Sequence, residues 1–209
     1  VAMVDANHVN LDAFWRWYEQ AGTPQITIRR SAGSGPDEMV LALAQYTPET
    51  AAKTPRRAVP IPIRIAFLDE TGAVVPTKLA EDAPAEHEHV ILLAKDQQDQ
   101  SIYAANASGL TPSILRGFSA PVTIDDDLSQ DERRHIMRYD TDLFNRWNNA
   151  QTLISDEILA VATNPSAPVN DESVAALADG FRYILADPSC LDYFKAAILT
   201  MPAISVLES

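Results

Sequence analysis

The sequence predicts an immunoglobulin-like antiparallel β-sandwich followed by an α-helical, solenoid-like array, with one helix ahead of the sandwich. Three observations carry this. Apolar residues recur with period two in short runs from Gln25 to Ile124, with no helical stretch between them. The period changes to helical after Asp125-Asp126-Asp127 and stays so to the end. Gly22-Thr23-Pro24 separates a leading helical pattern from the first strand.

Residues 10–21 read as a helix. Asn10 is a candidate N-cap, Asp12 suits the first turn, and Leu11, Phe14, Trp15 and Tyr18 share a helical spacing. Gly22 is expected at the C′ position, and Pro24 forbids continuation. So short a helix cannot cover its own aromatics, so it is expected to dock on something.

The strands follow. Residues 25–29 alternate polar and apolar, as a half-buried strand does. Ser31–Pro36 is a turn, residues 39–46 the second strand, and 47–57 a loop. Residues 59–68 form the third strand; Pro60 and Pro62 donate no backbone hydrogen bond, which places that end at a sheet edge or a strand start. Asp69-Glu70-Thr71-Gly72 makes a tight turn. Further strands are expected at 74–75, 90–93, 101–103, 114–118 and 121–124. A span of about 100 residues suits an immunoglobulin-like sandwich, although the Cys-Trp-Cys signature of antibody domains is missing.

Ser129 and Glu132 form a capping box opening a helix over 129–139. Thr141 or Asp142 opens a longer helix with Phe144, Trp147, Gln151, Ile154, Ile158 and Leu159 along one side. Asn170 caps a third helix ending at Leu185, and Pro188-Ser189 start a fourth that Pro202 ends. Short loops between helices read as a hairpin array. The chain starts with Val1 rather than Met, and the helical array ends on apolar residues, so a processed or excised piece of a longer protein is expected.

The composition excludes several classes. Hydrophobic residues make up 46% of 209, enough for a packed core. A net charge of −13 argues against a phosphate-binding stripe, hence against nucleic-acid binding. A single cysteine, Cys190, rules out an intramolecular disulfide, suits a reducing cytoplasm, and reads as a buried small hydrophobe rather than a nucleophile. No apolar run is long enough to span a bilayer.

The chemistry-bearing residues are sparse. Zinc hydrolysis on a helix needs two His one turn apart with a carboxylate between them, and no H-E-x-x-H occurs. His87 and His89 would share one face if both lay in a strand, but their acidic, Pro-containing surroundings read as an exposed hairpin. Asp125-Asp126-Asp127 lacks the spacing of a calcium loop and reads as a favourable charge ahead of a helix. Ser119 lacks the flanking glycines of a nucleophile elbow. Gly33-Ser34-Gly35 and Gly109 match no phosphate-binding loop. Trp15, Trp17 and Trp147 are assigned to packing rather than to a ligand groove. Asp142 and Arg146 are expected to pair at i, i+4 and to hold the helices against the sandwich. No catalytic, cofactor or metal residue is therefore assigned.

Four phrases, in order, carry a resemblance. They are Leu11-Asp12-Ala13-Phe14-x-Arg16-Trp17-Tyr18-x-Gln20-Ala21-Gly22-Thr23-Pro24; Ile61-Pro62; Leu115-Arg116-Gly117-Phe118-Ser119-Ala120-Pro121-Val122; and Asp142-x-Phe144-x-Arg146-Trp147-x-x-x-Gln151. The chain resembles the non-catalytic middle of the bacterial aminopeptidase N family of zinc metallopeptidases. The resemblance implies that residues 1–24 are the terminal helix of a catalytic domain, 25–126 a β-sandwich domain, and 127–209 the start of an α-helical C-terminal domain. It implies a cytoplasmic parent that removes N-terminal residues from peptides, with a zinc held elsewhere and none by this segment. The sandwich would space the catalytic domain from the helical domain that walls the substrate chamber. The alternative is a free-standing sandwich and helix module that binds a protein partner. The two differ in surface: a segment of a larger enzyme should expose apolar patches at residues 1–24 and at the C-terminus, whereas a module should keep its surface closed.

Overall fold

The computed structural model describes residues 11–50, 56–166 and 169–207. Helix α1 (Asp12–Glu19) is followed by eight strands: β1 (Gln25–Ala32), β2 (Glu38–Tyr46), β3 (Ile61–Leu68), β4 (Val74–Val75), β5 (His89–Leu93), β6 (Gln97–Tyr103), β7 (Thr111–Ile114) and β8 (Thr123–Asp125). Among the described residues five helices follow: α2 (Gln130–Tyr139), α3 (Leu143–Thr163), α4 (Asp171–Ala186), α5 (Asp192–Ile198) and α6 (Ile204–Leu207). Among the described residues, no helix is long and apolar enough to cross a membrane.

The strands form two sheets, one ordered β6-β2-β1-β8 and one ordered β4-β3-β5 with β7 also on β3. The predicted alternation turns one face of each strand inward. Ile26 and Ile28 of β1, Leu41 and Leu43 of β2, and Ile61, Ile63 and Ile65 of β3 are all sealed between the sheets. One expectation is corrected. The sandwich is not wholly antiparallel, because β8 runs parallel to β1, Ile26 opposite Ile124. The chain leaves the sandwich beside the strand by which it entered, which delivers α2 to the β1 edge.

The element ends differ from the sequence reading for identifiable reasons. Asn10 lies outside the described residues, and Leu11 occupies the N-cap position of α1 with no side-chain cap. Gly22 is not the C′ residue. The helix stops at Glu19 because the Gln20 amide donates to the Arg57 carbonyl (3.0 Å) and accepts from the Arg57 N–H (2.6 Å), leaving Gln20 extended. β3 begins at Ile61 rather than Val59, and the Pro60 carbonyl accepts the Trp17 indole N–H at 3.0 Å. The 114–118 strand is replaced by β7 and a tight 3-10 turn over Arg116–Phe118. Leu115, Gly117 and Phe118 all have positive φ there, which breaks the ladder and turns Arg116 inward. The last strand is 123–125 rather than 121–124.

The helices cap as their sequences predict. Ser129 and Glu132 form the reciprocal capping box of α2, and Asp142 and Asn170 cap α3 and α4. The buried face of α3, however, consists of Asn145, Arg146, Asn149, Ala150, Leu153 and Ile154. Of the stripe expected from apolar spacing, only Ile154 is fully inside. The helix buries its polar side because partners for those groups wait there. The fourth helix starts at Asp192, because Ser189 instead donates its N–H (2.8 Å) and hydroxyl (2.6 Å) to the Asp187 carboxylate in a turn. A second core joins these helices, with Met137, Ala150, Leu153, Ile184, Phe194 and Ile198 at its centre.

Candidate functional site

The most highly organised polar site is the joint between the sandwich and the helices. It starts with Arg116, which the left-handed turn aims inward. Its Nη1 donates to Asp140 Oδ1 at 2.6 Å and to Ser113 Oγ at 3.1 Å. Its Nη2 donates to Thr141 Oγ1 at 2.7 Å, and its Nε to Glu88 Oε2 at 2.8 Å. The Ser113 hydroxyl donates to Asp140 Oδ2 at 2.5 Å and accepts from the Asn145 amide at 2.7 Å. Arg116, Asp140, Ser113 and Asn145 are 7%, 2%, 0% and 2% exposed. The network thus joins β7 and the turn after it to the C-terminus of α2 and the start of α3.

A buried ion pair recovers its desolvation cost only when each remaining donor and acceptor is satisfied. That holds here. Ser113 Oγ uses its one hydrogen and both lone pairs, and Asp140 Oδ1 also receives the Asp142 N–H at 2.9 Å. Asp142 then caps α3 through Asn145 N–H (2.8 Å) and takes the Gly117 N–H (2.9 Å). Glu88 is pulled two ways. Burial raises its carboxyl, but the Arg64 and Arg116 guanidinium groups overcome this and hold it below the usual glutamate value.

Three further struts support the joint. Arg30 of β1 grips Asp127 (Nε to Oδ1, 2.7 Å) and Glu132 on α2. Burial would raise the Glu132 carboxyl; Arg30 and Ser129 outweigh it and lower it instead. Arg133 of α2 reaches Asp126 at 2.5 Å. His135 Nε2 meets the Asp69 carbonyl at 2.8 Å. The β3–β4 turn comes so close to α2 that a Cβ on Gly72 (φ 85°) would lie 2.2 Å from the Tyr139 Cβ, so only glycine fits.

The candidate residues of the sequence reading fall into place around this. Asp125, Asp126 and Asp127 are each taken by an arginine, Arg29, Arg133 and Arg30 respectively, and do not form an oxygen cage. His87 and His89 do not share a face. His87 lies on an exposed bend before β5, whereas His89 is buried against Thr77 Oγ1 (2.9 Å) and the Thr77 carbonyl (3.0 Å). Among the described residues, no group of three His, Cys, Asp or Glu is placed to hold a metal ion. His8 lies outside the described residues. Ser119 Oγ accepts the Arg64 N–H at 3.1 Å. Gly33 and Gly109 lie in turns closed by backbone hydrogen bonds. Trp17 and Trp147 pack on the two cores, and Trp15 is half exposed.

The Asp142–Arg146 pair does not form. Asp142 is committed to Asn145 and Gly117, while Arg146 runs inward to the Met137 carbonyl (Nε, 3.0 Å) and Cys190 Sγ (Nη1, 3.1 Å). The residue at the centre of the joint is Arg116, inside one of the four phrases but read there as strand. Its only signal was the Arg-Gly pair, since an arginine cannot be buried without a partner.

The second feature is a cleft of about 630 Å³ between α1 and the sandwich, lined by Phe14, Trp17, Tyr18, Pro62, Leu92 and Pro121 among others. No residue of α1 is buried. The helix is held through side-chain donors to the segment before β3: Arg16 Nη1 to Ala58 O (2.6 Å), Trp17 to Pro60 O, and Gln20 to Arg57.

Comparison with known proteins decides the family. The model described as domain of unknown function (DUF3458), Ig-like fold, matches residues 22–127, and that described as DUF3458_C, ARM repeats, matches 130–209. The chain belongs to the DUF3458 family. It is 31% identical to aminopeptidase N of Escherichia coli (strain K12) over 98% of this chain and 23% of that protein. It is 34% identical to aminopeptidase N of Caulobacter vibrioides over 95% of this chain and 21% of that protein. The chain thus spans less than a quarter of the relatives it matches and is homologous to a segment of aminopeptidase N. The crystal structure of Legionella pneumophila aminopeptidase A in complex with aspartic acid superposes with a TM-score of 0.75 at 21% identity, over 98% of this chain and 21% of that one. That likeness shows the fold: an Ig-like sandwich and then an ARM-repeat helical array.

Proposed function

We propose that this chain is the non-catalytic spacer of a zinc-dependent aminopeptidase that removes N-terminal residues from peptides. On this reading residues 1–24 end the catalytic domain, 25–126 form the spacer sandwich, and 127–209 begin the helical domain that walls the substrate chamber. Zinc and the catalytic groups belong to the rest of the parent, and this chain supplies none. The parent works in the cytoplasm, where a lone cysteine stays reduced.

The observation that carries the proposal is the buried, hydrogen-bonded Arg116–Asp140–Ser113–Asn145 network. Directional hydrogen bonds specify an angle between two domains where apolar packing alone would permit several. A spacer needs that property. The surface also favours this reading over the binding module. Phe14, Trp15 and Tyr18 are 42%, 50% and 74% exposed, and Tyr193, Met201 and Ile204 66%, 61% and 72%. These are the two places where the enzyme reading expects apolar patches.

The test is hydrolysis of aminoacyl p-nitroanilides by the longest natural polypeptide carrying this chain, beside the 209 residues alone, each with and without a zinc chelator. The long form should turn over in a chelator-sensitive way and the 209 residues should not. Turnover by the 209 residues alone would overturn the proposal.

A further inference from the structure

Cys190 sits in the turn between α4 and α5, 6% exposed and part of the second core, as its reading as a buried small hydrophobe expects, yet its sulfur has polar partners. Its sulfur accepts from Arg146 Nη1 at 3.1 Å, and its S–H donates to Asp187 Oδ2 at 3.4 Å. Arg146 is 6% exposed, and after the hydrogen bonds from Ser189 its charge is among the causes that hold the Asp187 carboxyl below its usual value. Its Nε is used on the Met137 carbonyl, and its cation lies 5.4 Å from the centre of the Phe194 ring. Its Nη2 is buried with no hydrogen-bond partner. A buried guanidinium with an idle N–H costs free energy that an added oxygen acceptor would recover. The idle donor belongs to the same planar group that already touches the sulfur. Its chain neighbours Pro188, Ser189 and Leu191 are exposed, so the buried sulfur of Cys190 lies just beneath the surface turn.

We propose that Cys190 is an oxidisable thiol that reacts with hydrogen peroxide to give a sulfenic acid, the new oxygen being received by Arg146 Nη2. The sulfur attacks one peroxide oxygen; the S–O bond forms as the O–O bond breaks. Sulfur is oxidised by two electrons and the peroxide is reduced. The second oxygen leaves as hydroxide and takes the thiol proton, giving water. Arg146 acts as a preorganised donor pair, one N–H on the sulfur and one where negative charge develops. Asp187 orients the S–H. The product is reversible by a second thiol and lies where α3 and α5 meet, so oxidation would reset the packing of the helical array.

The experiment treats the longest natural polypeptide carrying this chain with dilute hydrogen peroxide and dimedone, then follows the tryptic peptide Tyr183–Lys195, whose one cysteine is Cys190. The native protein should acquire the adduct about tenfold faster than the urea-unfolded protein, and Arg146→Met should remove most of that advantage. A native rate at or below the unfolded rate would overturn the proposal, as would an Arg146→Met rate equal to wild type. Should Arg146→Met not fold, the native-to-unfolded ratio of the wild type still decides.

Discussion

The sandwich has two helical neighbours, and they are attached in opposite ways. At the α2–α3 joint, four polar side chains are withdrawn from water and satisfy one another. At the α1 joint, no helix residue is buried, the contacts run from side chains to the backbone of one loop, and an apolar cleft remains open beside them. The first joint is complete within this chain. The second has donors that fix position and aromatic surface with little to cover it. Completeness, rather than the number of contacts, distinguishes the two joints among the described residues.

The sharpest way to break this comparison is to truncate Arg116. Arg116→Ala leaves Asp140 buried without its cation, and should lower stability by about 3–5 kcal/mol in denaturant unfolding. A loss below 1 kcal/mol would show that the joint is no more than surface decoration. Ser113→Ala removes the hydroxyl on which Arg116, Asn145 and Asp140 converge, and should cost about 1–3 kcal/mol by the same measurement. On the α1 side, Trp17→Phe keeps an aromatic side chain but loses the bond to Pro60 O and part of the indole packing on the core; about 1–3 kcal/mol is expected. The smallest effect belongs to Arg57→Ala, which removes an ion pair to Glu19 with both side chains about 60% exposed. It should fall within about 0.5 kcal/mol.

Acid should open the first joint selectively. The folded Glu88 carboxyl titrates below its ordinary value of 4.5. A group depressed in the folded state contributes stability above its unfolded pKa and loses it as pH falls through the folded one. The stability difference between wild type and Glu88→Gln should therefore be constant above pH 4.5 and shrink below it. A difference that grows on acidification would reverse the assignment of Glu88 as an ionised partner of Arg64 and Arg116.

Much of the fold was legible in the sequence because it follows local rules. Period-two runs marked β1, β2 and β3, and Ser129, Asp142 and Asn170 marked helix starts with residues that accept hydrogen bonds from the first turn. The strand at Gln97–Gln100 escaped because it is polar throughout, and the parallel β1–β8 pairing because local pattern carries no direction. The joint was the least legible part. Arg146 was expected to pair with Asp142, and nothing marked Asn145 and Asn149 as buried, since burial of polar residues depends on partners far away in sequence. Ser113 lies 32 positions from Asn145. The positive φ at Leu115 and Phe118, which aims Arg116, is a strain that residue type does not announce.

The spacer claim stands or falls on whether the sandwich and the helices keep one angle. Spin labels at Asp99 on β6 and Ala175 on α4, both exposed, would report it by electron–electron dipolar distances in the longest natural polypeptide carrying this chain. The account predicts one narrow distance distribution in wild type that broadens in Arg116→Ala. A broad wild-type distribution, unchanged by that substitution, would contradict it.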